Sequence, residues 1–161
     1  MKKTIIVLSL LLLIGCKTKN SVATANEVEV EVAKIEKIAI NTISTIQKTK
    51  AYELGTRVLM TCNTSKFKPF TTAEATASVI RNTTESKLSK TCTRFRQYYG
   101  TFIDLELIET YKNNIDQSTI FRYKASYSKK VANKELRVVM NNENKVSSIN
   151  SMDWVNNLEL D

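Results

Sequence analysis

Residues 121–127 read Phe121-Arg122-Tyr123-Lys124-Ala125-Ser126-Tyr127, so apolar or aromatic residues alternate with polar ones. Successive side chains of a β-strand point to opposite faces of the sheet, and a period of two therefore collects the apolar residues on one face. This pattern predicts a strand that buries one face and exposes the other.

The same alternation occurs on both sides of residues 121–127. Residues 103–107 (IDLEL) and 136–140 (LRVVM) follow it, and residues 146–154 form a more polar candidate for a fourth strand. The connections at residues 113–117 and 129–134 are short, and residues 141–144 (NNEN) favour a turn because asparagine tolerates positive φ. Short connections make neighbouring strands antiparallel, which predicts a four-stranded meander.

The chain before residue 100 shows helical spacing instead. One apolar stripe predicts a helix over residues 45–63, with Ala51, Leu54, Val58 and Cys62 as its members. Thr71 and Glu74 have the spacing of a capping box, which predicts a short second helix that ends near residue 80.

A third helix is predicted over residues 84–99, followed by Gly100 as its terminating residue. Its apolar face carries Leu88, Cys92, Phe95 and Tyr99. Each apolar helix face needs a partner, and one face of the sheet provides it. The sequence therefore predicts an α+β domain over residues 45–161, with three N-terminal helices packed on a curved four-stranded antiparallel sheet.

The N-terminus has the layout of an export signal. Lys2 and Lys3 precede an apolar run from Thr4 to Ile14, which at about eleven residues is half the length of a membrane-spanning helix. Leu13-Ile14-Gly15-Cys16 resembles the lipobox of bacterial lipoproteins. The resemblance implies cleavage after residue 15 and acylation of Cys16, for example with palmitate. An ordinary signal peptide with an incidental cysteine is the alternative.

The resemblance also implies a location in the cell. Lys17 follows the cysteine, whereas an aspartate there favours the inner membrane in some bacteria, so we expect an outer-membrane lipoprotein that faces the periplasm. Residues 16–44 are expected to be a solvated tether, because strand and helix periods conflict within them. A helical turn near residues 31–40 is the alternative within this tether.

Charge and composition limit the partners. The net charge of +8 falls to +6 without Lys2 and Lys3, which favours acidic partners such as lipid head groups, although positive charge also serves solubility alone. Nucleic acid is not expected, because the charges are scattered and the address is extracytoplasmic. The expected partners are the membrane, through Cys16, and an unidentified small ligand or envelope protein.

A family resemblance covers residues 45–154. The chain has helices first, then Phe95-Arg96-Gln97-Tyr98-Tyr99-Gly100, then the strand at residues 121–125 and the hairpin at 136–146. This order of elements is similar to that of NTF2-like domains of the cystatin-like superfamily, including small lipoprotein domains of unknown function. The resemblance implies a cone-shaped fold with a pocket between helices and sheet. It implies no activity.

Candidate binding residues come from the aromatic content. Five tyrosines lie on elements expected to face the cone, which makes them candidates for a wall that binds an apolar ligand, with a plain aromatic core as the alternative. They are Tyr98, Tyr99, Tyr111, Tyr123 and Tyr127.

Catalytic residues are not predicted. The chain has no histidine, the commonest general base and metal ligand, and it has no zinc spacing, calcium loop or glycine-rich phosphate loop, so neither a metal nor a cofactor is expected. Asp104 and Glu106 share a strand face that is expected to be solvated. An enzyme that uses Glu106 in an apolar pocket is the alternative to a non-enzymatic binding module.

Cys62 and Cys92 are the remaining cysteines. In an oxidising periplasm they form either a disulfide across about thirty residues or two buried thiols in the core. Both possibilities remain open from the sequence.

Overall fold

A computed structural model describes residues 34–156 and residue 158. The predicted signal peptide, Cys16 and most of the expected tether lie outside this part of the chain. Within it, the α+β class is confirmed: helices pack on an antiparallel sheet. Strand β1 (Ile35–Ile38) comes first, and the helices are α1 (Thr45–Thr64), α2 (Ala77–Asn82) and α3 (Glu85–Tyr99). Strands β2 (Phe102–Asn113), β3 (Thr119–Tyr127), β4 (Lys134–Met140) and β5 (Val146–Asp153) follow.

The sheet has five strands in the described residues, in the order β1-β2-β3-β4-β5, with every neighbouring pair antiparallel. The prediction of four strands was therefore one short. Residues 35–38 were assigned to the tether but pair with residues 110–113 of β2. A 3₁₀ turn at Ile40–Thr42 then leads into α1. A four-residue edge strand has too little periodicity of its own, and its pairing with β2 makes it a strand.

The helix ends follow local capping rules. Ser44 caps α1 by accepting a hydrogen bond from the Gln47 amide at 3.2 Å, and Ser65 ends it in the left-handed region at φ 55°. Thr84 caps α3, which ends at Gly100 with φ 82°. The predictions for α1 and α3 are confirmed to within a residue or two.

The second helix begins later than predicted. Glu74 Oε2 accepts hydrogen bonds from the Thr71 amide and hydroxyl at 2.8 and 3.1 Å, as a capping box would, but a single turn follows it. Ala75 instead forms a parallel bridge with Val146, and α2 starts at Ala77. The pairing with β5 interrupts the helix that the local sequence favours.

The core lies between α1 and the middle of the sheet. Gly55 allows the close approach, because a Cβ atom there would lie 2.8 Å from Leu136 Cδ2. The buried side chains around this contact include Ala51, Leu54, Leu59, Phe121, Tyr123, Leu136, Val138 and Met140. At the other end of α1, Asn63 exchanges two hydrogen bonds with the Phe102 backbone and fixes the start of β2.

Two irregularities in β2 change which residues face the core. The register with β3 shifts between Phe102 and Asp104 and again between Leu107 and Glu109. Phe102 and Leu105 are buried, whereas Ile103 is 62% exposed, so the prediction that Ile103 faces the core is wrong. A bulge adds one residue to one strand and reverses the alternation beyond it.

Candidate ligand-binding clefts

One cavity lies between α1, α3 and strands β4 and β5, and we call it the apolar cleft. Its volume is about 260 Å³. The apolar residues of its wall are Val58, Leu59, Leu88, Phe95, Leu136 and Ile149. The mouth is polar and carries Asn82, Thr83, Lys87, Thr91, Asn150 and Ser151. Apolar walls with a few polar groups at the opening are typical of small-molecule sites.

A disulfide bond joins α1 to α3 beside the apolar cleft. Cys62 and Cys92 form a disulfide with their Cα atoms 4.8 Å apart, and Cys62 lines the apolar cleft. Both cysteines also line a second cavity of about 330 Å³ on the other side, where Ser89, Thr93 and Arg96 make the lining polar. The disulfide therefore separates an apolar cavity from a polar one and fixes the spacing of the two helices.

Three of the predicted tyrosines gather at the C-terminal end of α3. The Tyr127 ring lies 5.9 Å from Tyr99, 6.3 Å from Phe95 and 5.7 Å from Phe102. Burial raises the pKa of Tyr127 to about 12. Tyr98 is 58% exposed, and its ring lies 6.4 Å from that of Tyr99. Phe95 connects this aromatic cluster to the apolar cleft.

The other two tyrosines lie elsewhere, so the five do not form one wall. Tyr123 is in the core, stacked on Phe121 at 6.3 Å. Tyr111 lies on the opposite sheet face, where its hydroxyl donates to Glu109 Oε2 at 2.9 Å. The bulge after Leu107 explains this placement, because it reverses the side chains of the second half of β2.

The opposite sheet face carries a buried ionic cluster that the alternating pattern did not reveal. Arg122 and Glu135 are both 0% exposed, and Glu135 Oε2 accepts from Arg122 Nε at 3.0 Å and from Nη2 at 2.6 Å. Arg122 Nη1 also pairs with Glu109, and Arg137 Nε donates to Glu135 at 2.9 Å. The Trp154 ring covers the Arg122 guanidinium at 4.5 Å.

The cluster keeps its charges. Burial by itself would raise the pKa of Glu109, but hydrogen bonds from Lys37, Tyr111 and Arg122 outweigh it and hold that pKa below its usual value. Burial would likewise lower the pKa of Arg122, and the carboxylates of Glu135 and Glu109 raise it instead. A carboxylate held in this way is a structural anion and a poor proton donor.

The predicted carboxylate pair is solvent-exposed. Asp104 and Glu106 are both exposed, and Asp104 accepts a hydrogen bond from the Tyr52 hydroxyl at 2.6 Å. This hydrogen bond, with another from the Leu105 amide, lowers the pKa of Asp104. Acid–base catalysis at neutral pH favours a carboxyl whose pKa is raised by burial, and neither residue has such surroundings.

Comparison with family models, with curated proteins and with solved structures found no match to this chain. Among residues 34–156 and 158, no helix is long and apolar enough to cross a membrane. The same residues contain no group of three histidine, cysteine, aspartate or glutamate side chains that could hold a metal ion. The function is therefore inferred from the geometry of the clefts.

Proposed function

We propose that this protein is a lipid-anchored component of the bacterial cell envelope whose NTF2-like domain binds a small apolar ligand without transforming it. The observation that carries the proposal is the apolar cleft, with six apolar wall residues and a polar mouth. Three helices that precede four of the five strands of an antiparallel sheet support the proposed family. The lipobox at Leu13–Cys16 supports the anchor and the outer-membrane location.

The size of the cleft limits the ligand. Drug-sized ligands occupy cavities of roughly 300–1,000 Å³, so a cleft of about 260 Å³ fits a smaller molecule. Burying apolar surface contributes about 25 cal/mol per Å², and a ligand that buries roughly 150 Å² of such surface gains about 4 kcal/mol before the cost of association. About 4 kcal/mol corresponds to a Kd of about 1 mM at best, so a ligand that stays bound also needs polar contacts at the mouth of the cleft.

A binding role fits the charges better than the enzyme alternative does. The exposed pair Asp104 and Glu106 lies outside the lining of the apolar cleft. The buried Glu135 is neutralised by two arginines on the other sheet face. Among the described residues, no carboxyl group lines the apolar cleft, and Lys87 at its mouth is the only titratable side chain of the lining.

Native mass spectrometry tests the ligand. Residues 17–161, the expected mature chain without Cys16, would be exported to a periplasm behind a signal peptide that lacks the lipobox. We expect a reproducible extra mass that Leu88→Asp removes, because Leu88 lines the cleft from a half-buried position. Ile103→Asp is the matched control, since Ile103 is an exposed apolar residue that does not line the cleft.

A bare mass, together with no binding of added apolar fragments, would contradict the proposed ligand. The search would then move to an envelope protein that docks on the sheet face around Arg137. An extra mass that both variants lose would indicate unfolding or binding at another place. Circular dichroism of the two variants separates those two cases.

The anchor has an independent test. Cys16→Ser should release the protein from membranes into the soluble fraction and abolish labelling with palmitate. A variant that stays membrane-bound and is still labelled would overturn the lipobox interpretation. Lys17→Asp tests the address, because it should shift the protein toward the inner membrane in bacteria that use this sorting rule.

A further inference from the structure

A third opening, different from the two cavities described above, lies on the other side of α1, between that helix and strands β2 and β3. We call it the tyrosine groove, and its volume is about 450 Å³. Tyr52, Leu105, Leu107 and Tyr123 line it, with Lys48 and Glu53 also at its surface. None of these residues lines the apolar cleft, so this site is independent of the proposed function.

The Tyr123 hydroxyl is the unusual feature of this groove. The side chain is 1% exposed, and its hydroxyl has no hydrogen-bond partner among the described residues. A buried polar group without a partner costs about 1–3 kcal/mol, so nearly all such groups have one.

Burial also determines the form in which Tyr123 can act. It raises the pKa of the hydroxyl well above its usual value, and the nearby Tyr52 adds to the shift. The group is therefore a neutral hydroxyl at any physiological pH. It can donate one hydrogen bond to an acceptor that enters the groove.

Tyr52 lies beside Tyr123 in the lining of the groove. Its ring is 6.4 Å from that of Tyr123 and inclined at 57°, and its hydroxyl donates to Asp104 at 2.6 Å. Both Tyr52 and Asp104 are exposed, so the hydrogen bond that holds the ring is a surface interaction of low cost to break. An aromatic side chain held in this way can rotate aside and then cover an inserted molecule.

We propose that the tyrosine groove binds a small neutral molecule with an apolar body and one carbonyl or hydroxyl oxygen, which accepts a hydrogen bond from Tyr123. Leu105, Leu107 and the Tyr52 ring contact the apolar body. The ligand is neutral because the buried group of the groove, the Tyr123 hydroxyl, offers no counter-charge, and an unpaired buried charge is costly. Lys48 and Glu53 at the surface of the groove carry opposite charges, so the opening favours neither sign.

Methyl NMR with two matched probes tests the site. Acetophenone carries the carbonyl acceptor, and ethylbenzene has a similar apolar body without it. The Leu105 and Leu107 methyl signals report the tyrosine groove, and the Leu88 methyl signals report the apolar cleft. We expect acetophenone to shift the groove signals and to bind about 2- to 10-fold more tightly there than ethylbenzene.

The variants assign the preference to one hydroxyl. Tyr123→Phe removes only the unpartnered oxygen, so the chain should remain folded and the two probes should bind with equal affinity. Tyr98→Phe is the matched control, because Tyr98 lies outside the groove and should leave the preference unchanged. Tyr52→Phe releases the ring from Asp104 and should keep the preference for acetophenone.

Three results would overturn the proposal. The first is a shift confined to Leu88, or no shift at the solubility limit of acetophenone. The second is equal binding of the two probes to the unmodified chain. The third is a preference that survives Tyr123→Phe. Shifts at Leu88 in any of these cases would bear only on the apolar cleft.

Discussion

Removing the disulfide between Cys62 and Cys92 should loosen α3 from the rest of the domain. Cys92 is the only buried residue of α3, all fifteen residues of which the structure describes. The C-terminal end of the helix is also held by the aromatic contacts of Phe95 and Tyr99, whereas Leu88 is only half-buried. The disulfide is therefore the main attachment of the N-terminal half of the helix.

The magnitude follows from the loop that the disulfide closes. The two cysteines are 30 residues apart. In the chain-entropy model, a loop of this length corresponds to about 3.6 kcal/mol of stability at 25 °C, within the usual range of roughly 2–5 kcal/mol for small secreted domains. We therefore expect the double variant Cys62→Ala and Cys92→Ala to lose about 3.6 kcal/mol.

Two measurements check this prediction on the mature chain. Guanidinium denaturation gives the free energy of unfolding, and hydrogen exchange locates the change. Amides of residues 85–92 should exchange faster in the variant, while those of β3 and β4 change only by the global loss of stability. Reduced wild-type protein should resemble the variant, and a reductant should leave the variant itself unchanged.

A loss below about 1 kcal/mol, or exchange in α3 that matches the wild type, would refute the reasoning, because the loop entropy and the poor burial of α3 would then not control its docking. Two free thiols in the unfolded, unreduced chain would show that the disulfide does not form. If the variant had normal stability but no longer bound a ligand in the apolar cleft, the disulfide would determine the shape of the cleft and not the stability of the fold.

Three further predictions concern other parts of the fold. Arg122→Met leaves Glu135 buried beside a single arginine and should lower the free energy of unfolding, measured with urea, by about 3–5 kcal/mol. As a control, replacing the exposed Arg94 by Met should change it by less than about 0.5 kcal/mol. A small effect of Arg122→Met would contradict the stabilising role of the buried pair. Gly100→Ala places a Cβ 2.2 Å from Ser128 Oγ and a side chain at φ 82°, so it should lower the stability measured by thermal unfolding by at least about 2 kcal/mol. Adding Ser128→Ala removes the clash and should restore part of that loss. No recovery would mean that backbone strain alone causes the loss. Hydrogen bonds from Arg57 lower the pKa of Glu74 from 4.5 to about 2, so this pair should contribute at most about 3 kcal/mol to the free energy of unfolding. That contribution is present above pH 4.5 and is lost as the pH falls to 2. Glu74→Gln should remove this part of the pH dependence of stability, and an unchanged pH profile would contradict the prediction.

The parts of the fold that were predictable are those with a local cause. The strand at residues 121–127 lies within β3, because its alternation matches the burial of one sheet face. Helices α1 and α3 begin next to Ser44 and Thr84 and end at Ser65 and Gly100, where capping and positive φ act within a few residues. The turn at residues 141–145 similarly has Asn144 at φ 57°.

The errors occurred where distant residues decide the outcome. Residues 35–38 become a strand through pairing with β2, and Ala75 leaves the helical path because it pairs with Val146. Tyr111 separates from Tyr123 because of a bulge, whose position no alternating pattern marks. A sequence pattern that assigns faces by parity fails at each inserted residue.

The candidate sites show the same division. Leu88 and Phe95 were on a predicted helix face, and the sequence suggested that this face needs a partner. Their cleft depends on the placement of Leu136 and Ile149, which the register of β4 and β5 provides. Tyr52 was missed because an exposed tyrosine on α1 gives no sign that Tyr123 lies beside it.

The sequence by itself determined the α+β class, the extents of α1 and α3 and the lack of histidine chemistry, because each follows from composition or from residues close together in the chain. The export signal stays a prediction. Only the tertiary structure decided the fifth strand, the burial of Arg122 between Glu109 and Glu135, and the two clefts beside α1. An arginine can be buried only where carboxylates far along the chain neutralise it. A cleft, likewise, exists only where packed elements leave a space between them.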